Sequence, residues 1–146
     1  MRGDGTWFGR WAPRALPPWA VAALGAALLV VIAGALHALG RPFGLEGARI
    51  FGVSEGVNGS EALFDGYSLL HASAGLALRA LLRATAAHWP QGWLTLVALA
   101  SSAVWEIVEN TPQVIAAFSA GSGPNYAGDT ILNAMGDTIS LLLGFS

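Results

Sequence analysis

Hydrophobic residues gather into four stretches, which polar or glycine-rich segments separate. The stretches are residues 19–39, 67–89, 92–110 and 129–145. About 20 apolar residues in a helix cross the hydrocarbon layer of a bilayer, so each stretch predicts a transmembrane helix, the last one slightly short. The predicted fold class is an all-α integral membrane bundle of four transmembrane helices. Residues 1–146 form one membrane domain in this prediction, with residues 1–18 as its tail.

The segments between these helices predict two loops. Residues 40–66 are rich in glycine, which favours turns over helix interiors, and they predict a long first outer loop. Within it, residues 50–53 predict a short strand or an interfacial turn. Asp65, near its end, is predicted to cap the second helix. Residues 119–128 predict a second polar loop.

A proline near the end of the third helix leaves two alternatives. Thr111 and Pro112 predict the cap and first position of a short new helix, because proline is tolerated at a helix start and costly inside. Alternatively, Pro112 kinks one continuous helix that runs to Phe118.

The composition agrees with a lipid environment. Hydrophobic residues make up 54% of the chain and charged residues 11%, whereas about a quarter of a soluble domain is charged. The absence of cysteine excludes a disulfide framework and a thiolate metal site. The net charge of -2, without a dense basic tract, argues against a nucleic-acid partner. The expected partners are the lipid bilayer and either another membrane protein or a second copy of the chain.

The positions of the arginines predict an orientation in the membrane. The tail carries Arg2, Arg10 and Arg14, and Arg79 and Arg83 precede the turn between the second and third helices. Short cytoplasmic segments carry an excess of positive charge. We therefore predict that both termini and this turn are cytoplasmic and that both longer loops face outside.

This orientation places polar residues of three helices at a similar depth. A helix rises about 1.5 Å per residue, which places His71 about 8 Å below the outer end of the second helix. By the same measure, Glu106 and Glu109 lie about 5–10 Å below that face, and Asn133 and Asp137 lie at about 6 and 12 Å. We therefore expect these residues to form one polar layer near the outer surface.

The polar residues also form one stripe on each of these three helices. Ionisable residues within a span face the bundle interior or a cavity, so the stripes are predicted to point inward. Three glycines on the stripes would let the backbones approach closely. The stripes contain Ser68, His71, Gly75 and Arg79 on the second helix, Ser102, Glu106, Glu109, Asn110 and Gln113 on the third, and Asp129, Asn133, Gly136, Asp137, Ser140 and Gly144 on the fourth.

Two motifs carry a resemblance to a known family. The first is Trp-Glu-x-x-Glu-Asn from Trp105, and the second is Gly-Asp-x-Ile-x-Asn-x-x-x-Asp from Gly128. Together they resemble an uncharacterised bacterial family of multi-pass membrane proteins, classed as a domain of unknown function. The stretch around His71 is similar to that family's His-x-x-His, with Ala74 in place of the second histidine. The resemblance implies a multi-pass protein of the bacterial inner membrane. A weaker similarity is to VanZ-like membrane proteins.

One functional interpretation is metal-dependent chemistry on a lipid-linked phosphate or another amphiphile at the outer leaflet. Imidazole and carboxylate ligands suit Zn²⁺, Mn²⁺ or Mg²⁺, and a bound metal activates water. The candidate metal ligands are His71, Glu106, Glu109 and Asp129. The candidate catalytic residues are Glu106, Glu109 and Asp137, and the candidate binding residues are Asn110, Asn133, Arg79 and Tyr67.

The interpretation that the sequence favours is a structural or accessory membrane subunit. In this interpretation the same groups hydrogen-bond across helices and fix the bundle. Arg79 then either reaches Asp137 or extends to the cytoplasmic surface. A second alternative to this interpretation is the binding or transport of a small solute or of protons. Whether the protein is an enzyme stays open at this stage.

Overall fold

A computed structural model of the protein describes residues 11–45, 49–52, 62–122 and 126–146, with the backbone alone for 121 and 122. The chain is mostly helical, as predicted. Its elements are α1 (Pro18–Ala38), β1 (Arg49–Phe51), β2 (Ala62–Phe64), α2 (Ser68–Ala86), α3 (Gln91–Glu109), α4 (Pro112–Ser122) and α5 (Ile131–Phe145). Two of the arginines used to predict the orientation, Arg2 and Arg10, lie outside the described residues.

Two of the described helices, α1 and α3, are long and apolar enough to cross a membrane, judged by length and composition. Only 11% of the apolar window in α1 is buried inside the protein. Its buried residues are Ile32 and Leu36, while Val30 and Val31 are exposed. Helix α5 is apolar but only 15 residues long. The structure therefore gives a helical protein with two candidate spans.

The first loop contains a small sheet that the sequence only partly predicted. Strands β1 and β2 pair in parallel, with Arg49 opposite Ala62 and Phe51 opposite Phe64. A strand was one alternative for residues 50–53, and it is found at 49–51; residue 53 lies outside the described ranges. Strand β2 was not predicted, because three residues carry no periodicity that separates a strand from a loop.

The helix starts follow from local hydrogen bonds. The Asp65 carboxylate accepts hydrogen bonds from the backbone N–H groups of Tyr67 (2.8 Å) and Ser68 (3.2 Å), as a capping side chain does, although the N-cap position of α2 itself is Tyr67. Burial raises the pKa of Asp65, although these two N–H groups oppose that shift. Helix α5 begins later than predicted, because Thr130 is its N-cap and accepts a hydrogen bond from the Asn133 N–H at 3.1 Å.

Pro112 begins a separate helix, so the first of the two alternatives is confirmed. Helix α3 ends at Glu109, and α4 runs from Pro112 to Ser122. The prediction that a loop starts at residue 119 was wrong. The helix continues through Ser119 because residues 113–118 contain neither glycine nor proline and include two alanines, the strongest helix former.

Helix α2 packs mainly on α5, and α1 packs mainly on α3. Three glycines permit the tightest contacts, as predicted. A Cβ atom on Gly75 would collide with the carbonyl oxygen of Leu141, and one on Gly144 with that of Ala72. A Cβ on Gly136 would meet the carbonyl of Leu63 in β2. Glycine is needed at these positions because any side chain would separate the backbones.

The two ends of the bundle contain different segments. At one end, the Trp93 indole N–H donates a hydrogen bond to the Arg14 carbonyl at 2.9 Å, and the rings of Trp11 and Trp89 meet edge to face. At the other end, the Ile131 N–H donates to the carbonyl of Pro42 at 2.9 Å. The N-terminal segment thus shares one end with the α2–α3 turn, and the segments after α1 and before α5 share the other.

Candidate functional site

The centre of the polar site is Glu106, on α3. Its side chain is fully buried (0% exposed), and neither carboxylate oxygen has a hydrogen-bond partner among the described residues. The neighbouring basic side chain is His71, whose imidazole Nδ1 lies 3.7 Å from Oε1 of Glu106. This distance exceeds that of a hydrogen bond. Burial of a polar group without a hydrogen bond costs free energy, which makes Glu106 a candidate to bind a further group.

Three carboxylates converge at this point. Glu106, Glu109 and Asp129 each offer one oxygen, and these oxygens lie within 4.8 Å of one another. The first two are three residues apart on α3 and therefore share a face. Asp129 enters from the segment that leads into α5. Of the four predicted metal ligands, the structure brings these three together, and His71 is not part of the group.

Asn110 holds Asp129 in place. Its amide Nδ2 donates a hydrogen bond to Oδ2 of Asp129 at 3.1 Å, and its Oδ1 accepts one from the Asp129 backbone N–H at 2.8 Å. Both residues are buried. The pair joins the end of α3 to the start of α5 and orients the Asp129 carboxylate toward the two glutamates.

Tyr126 is a site residue that the sequence analysis missed. Its hydroxyl donates a hydrogen bond to Oδ2 of Asp129 at 3.1 Å. Burial raises the pKa of Tyr126, and the nearby carboxylates of Asp129 and Glu109 raise it further. The hydroxyl therefore keeps its proton and acts as a donor. The only sequence signal was a tyrosine three residues before Asp129 in a loop predicted as polar.

His71 lies between two carboxylates. Its Nδ1 faces Glu106, and its Nε2 lies 3.9 Å from Oδ2 of Asp137 on α5. Asp137 also accepts a hydrogen bond from the Ser68 hydroxyl at 2.8 Å. His71 from α2 and Asp137 from α5 thus lie on one side of the cluster formed by the three carboxylates.

Asn133 links the site to the small sheet. Its Nδ2 donates a hydrogen bond to the carbonyl of Ala62 in β2 at 2.9 Å. Its Oδ1 is buried and has no hydrogen-bond partner among the described residues. Asn133 is therefore positioned by β2, a relationship that the sequence did not predict.

Two predicted binding residues lie apart from this group. The Arg79 guanidinium donates a hydrogen bond to the carbonyl of Phe145 and stacks over its ring. Phe145 is eight residues beyond Asp137, about 12 Å along α5, so the first of the two alternatives for Arg79, contact with Asp137, is wrong. The carbonyl end of a helix attracts a cation, which explains the contact with Phe145. The Tyr67 side chain is 56% exposed.

The site has an excess of acidic over basic side chains, and these acids repel one another when they ionise. Asp65, Glu106, Glu109, Asp129 and Asp137 are close enough to repel one another. His71 is a histidine that lies beside two of these acidic residues, Glu106 and Asp137. A divalent cation at the centre would relieve this repulsion.

A family model described as "Protein of unknown function (DUF2585)" matches residues 36–146. The chain belongs to this family. The match contains α2 to α5 and every residue of the polar site. The expectation of an uncharacterised bacterial family is thereby confirmed.

Several relatives of the DUF2585 chain are UPF0314 proteins. That of Brucella anthropi is 36% identical over 87 residues, which cover 59% of this chain and 44% of the relative. UPF0314 protein R03235 of Rhizobium meliloti is 32% identical over 131 residues, with 87% and 66% covered. That of Sphingopyxis alaskensis is 30% identical over 136 residues, with 87% and 68% covered. The matched region thus spans less than half of the Brucella anthropi protein. No solved structure matches the chain.

Proposed function

We propose that this protein is a multi-pass inner-membrane protein that binds a divalent cation through Glu106, Glu109 and Asp129. The observation that supports the proposal most strongly is the fully buried Glu106. Its two oxygens lack hydrogen bonds within the described part of the chain, while two further carboxylates lie close by. A cation in this position would supply the partner that each carboxylate needs.

The ligand set favours a hard cation. Carboxylate oxygens are the ligands of Mg²⁺, Mn²⁺ and Ca²⁺. Oxygens on opposite sides of such ions lie about 4–5 Å apart, given metal–oxygen distances of roughly 2.0–2.6 Å. The oxygens of Glu106, Glu109 and Asp129 lie within 4.8 Å of one another, which agrees with that span. Asn110 and Tyr126 would support the site by fixing Asp129.

The reaction class that fits this arrangement is metal-assisted hydrolysis. A divalent cation supplies the positive charge that activates a water molecule. His71, which lies 3.7 Å from Glu106 and 3.9 Å from Asp137, would be the candidate general base beside such a cation.

Metal binding to purified protein tests the proposal. We expect wild-type protein in detergent to bind one Mn²⁺, measured by electron paramagnetic resonance and elemental analysis. Glu109→Gln should weaken the affinity about tenfold or more, equivalent to about 1.4 kcal/mol. Asp137→Asn is the matched control, because Asp137 lies in the polar site but outside the three ligands. Wild-type protein that binds no Mn²⁺, Mg²⁺, Ca²⁺ or Zn²⁺ would overturn the proposal.

The second candidate function is a structural or accessory membrane subunit. Hydrogen bonds between helices support it: Ser102 to Thr138 at 2.9 Å and Ser68 to Asp137 at 2.8 Å. It predicts a stoichiometric partner after purification in mild detergent, and stability that does not respond to divalent cations. Transport of a small solute or of protons predicts different results. Vesicles that contain the protein would take up the solute or the protons, and the purified protein would hold no bound metal.

A further inference from the structure

A groove of about 340 Å³ lies between α2 and α3, with Leu141 of α5 as part of its lining. Its volume is in the range of small-molecule sites, roughly 300–1,000 Å³. Hydrocarbon and aromatic side chains form the lining apart from one imidazole. The lining residues are Leu70, His71, Ala74, Leu78, Trp105 and Leu141.

The groove exists because α2 and α3 are neighbours in sequence but not close partners in space. Helix α2 packs on α5 and α3 packs on α1, so α2 and α3 touch over a short stretch only. Leu70 and Trp105 are 64% and 49% exposed, whereas His71 and Leu141 are buried. The groove therefore opens sideways, and in a membrane it opens toward lipid.

One end of the groove adjoins the proposed metal site. Leu70, Ala74 and Leu78 are four residues apart on α2, and they extend about 12 Å along the helix. His71 lies beside Leu70, and its Nδ1 is 3.7 Å from Glu106. The groove is thus lined mainly by apolar side chains and ends at a group of ionisable side chains.

We infer that the groove holds one hydrocarbon chain of a phosphate-bearing lipid, and that the lipid phosphate reaches the cation held by Glu106, Glu109 and Asp129. The inference rests on the proposed metal site, because carboxylates without a cation would repel a phosphate. The apolar lining matches the chain, the sideways opening admits it from the bilayer, and the cation complements the charge of the head group.

Two photoreactive lipids with the same diazirine-tagged chain test this inference in lipid nanodiscs. One is phosphatidic acid, and the other is the neutral diacylglycerol. We expect phosphatidic acid to label peptides that line the groove in Mn²⁺-loaded protein, and diacylglycerol to label them about tenfold less. Removal of Mn²⁺ with a chelator should abolish this preference.

Two variants test the position of the chain. Ala74→Trp fills the groove and should reduce labelling about tenfold. Ala80→Trp is the control, because Ala80 is exposed and lies on a different side of α2. Both variants should keep bound Mn²⁺, which also reports that they are folded. Equal labelling of the two variants, or equal labelling by the two lipids, overturns the inference.

Mn²⁺ content of the same samples separates this inference from the proposed function. Wild-type protein that binds Mn²⁺ without labelling in the groove retains the metal site and overturns the lipid inference. Wild-type protein that binds no divalent cation overturns the metal site and, with it, the placement of the phosphate.

Discussion

Asn110 and Asp129 exchange two hydrogen bonds in opposite directions, one between their side chains and one from the Asp129 backbone to the Asn110 amide. This pair connects α3 to α5 and orients one of the three converging carboxylates. It also makes the motif residue Asn110 a positioning group, since its amide contacts Asp129 and its side chain is buried.

Asn110→Ala should therefore destabilise the protein and weaken metal binding. It removes both hydrogen bonds to a buried residue, and we expect a loss of about 2–4 kcal/mol in the free energy of unfolding. Thermal unfolding in detergent and Mn²⁺ titration measure the two effects. Gln113→Ala is the control, because Gln113 is exposed on α4. An Asn110 variant with unchanged Mn²⁺ affinity would contradict the positioning role.

Glu106→Gln should separate stability from metal binding. Without metal, the substitution exchanges one buried polar group for another of the same shape and should change the free energy of unfolding by less than about 1 kcal/mol. With Mn²⁺ at about 100 times its dissociation constant, wild-type protein should gain about 2.7 kcal/mol. The variant should gain little. Equal stabilisation of both proteins by Mn²⁺ in unfolding experiments would place the cation elsewhere.

Gly75→Ala should disrupt the contact between α2 and α5. The new Cβ would collide with the carbonyl of Leu141, so the helices must separate, at a cost of about 1–3 kcal/mol. Gly34→Ala is the matched control: it lies in α1, no atom outside its own helix is within 4 Å of a Cβ there, and its effect should be neutral or stabilising by up to about 1 kcal/mol. Denaturant unfolding of both variants measures the difference, and equal stabilities would refute the close packing.

Asp65→Asn should change how stability depends on pH. Burial raises the pKa of Asp65 in the folded protein, so folding costs free energy once the group ionises, and stability rises as the pH falls through the folded-state pKa. Asparagine keeps an oxygen acceptor for the Tyr67 and Ser68 N–H groups but carries no charge. The variant should be the more stable protein at neutral pH, with the difference vanishing in acid. Unfolding over a pH series checks this sign.

The predicted membrane orientation is testable because the chain has no native cysteine. Ala87→Cys places a thiol in the turn after α2, and Ala127→Cys places one before α5; both positions are exposed. A membrane-impermeant maleimide applied to intact spheroplasts should label the second thiol alone. Labelling of the first from outside would reverse the orientation.

The sequence by itself predicted the long helices and which polar residues share a face on them. Apolar length defined the helices, because backbone hydrogen bonding in a long apolar segment leaves little alternative to a helix. The polar spacing on α3, from Ser102 through Glu106 to Glu109, already placed these residues on one helix face. Pro112 marked a helix start because proline is tolerated at the first helical position and costly inside a helix.

Only the tertiary structure decided which of these groups touch. The pairing of Asn110 with Asp129, the contact of Asn133 with β2 and the role of Tyr126 depend on loops whose paths no local pattern specifies. Arg79 shows the same limit: its sequence position allowed contact with Asp137, but the packing of α2 on α5 places it against Phe145. Periodicity fixes the face of a helix, whereas the register between helices comes from close packing at Gly75 and Gly144.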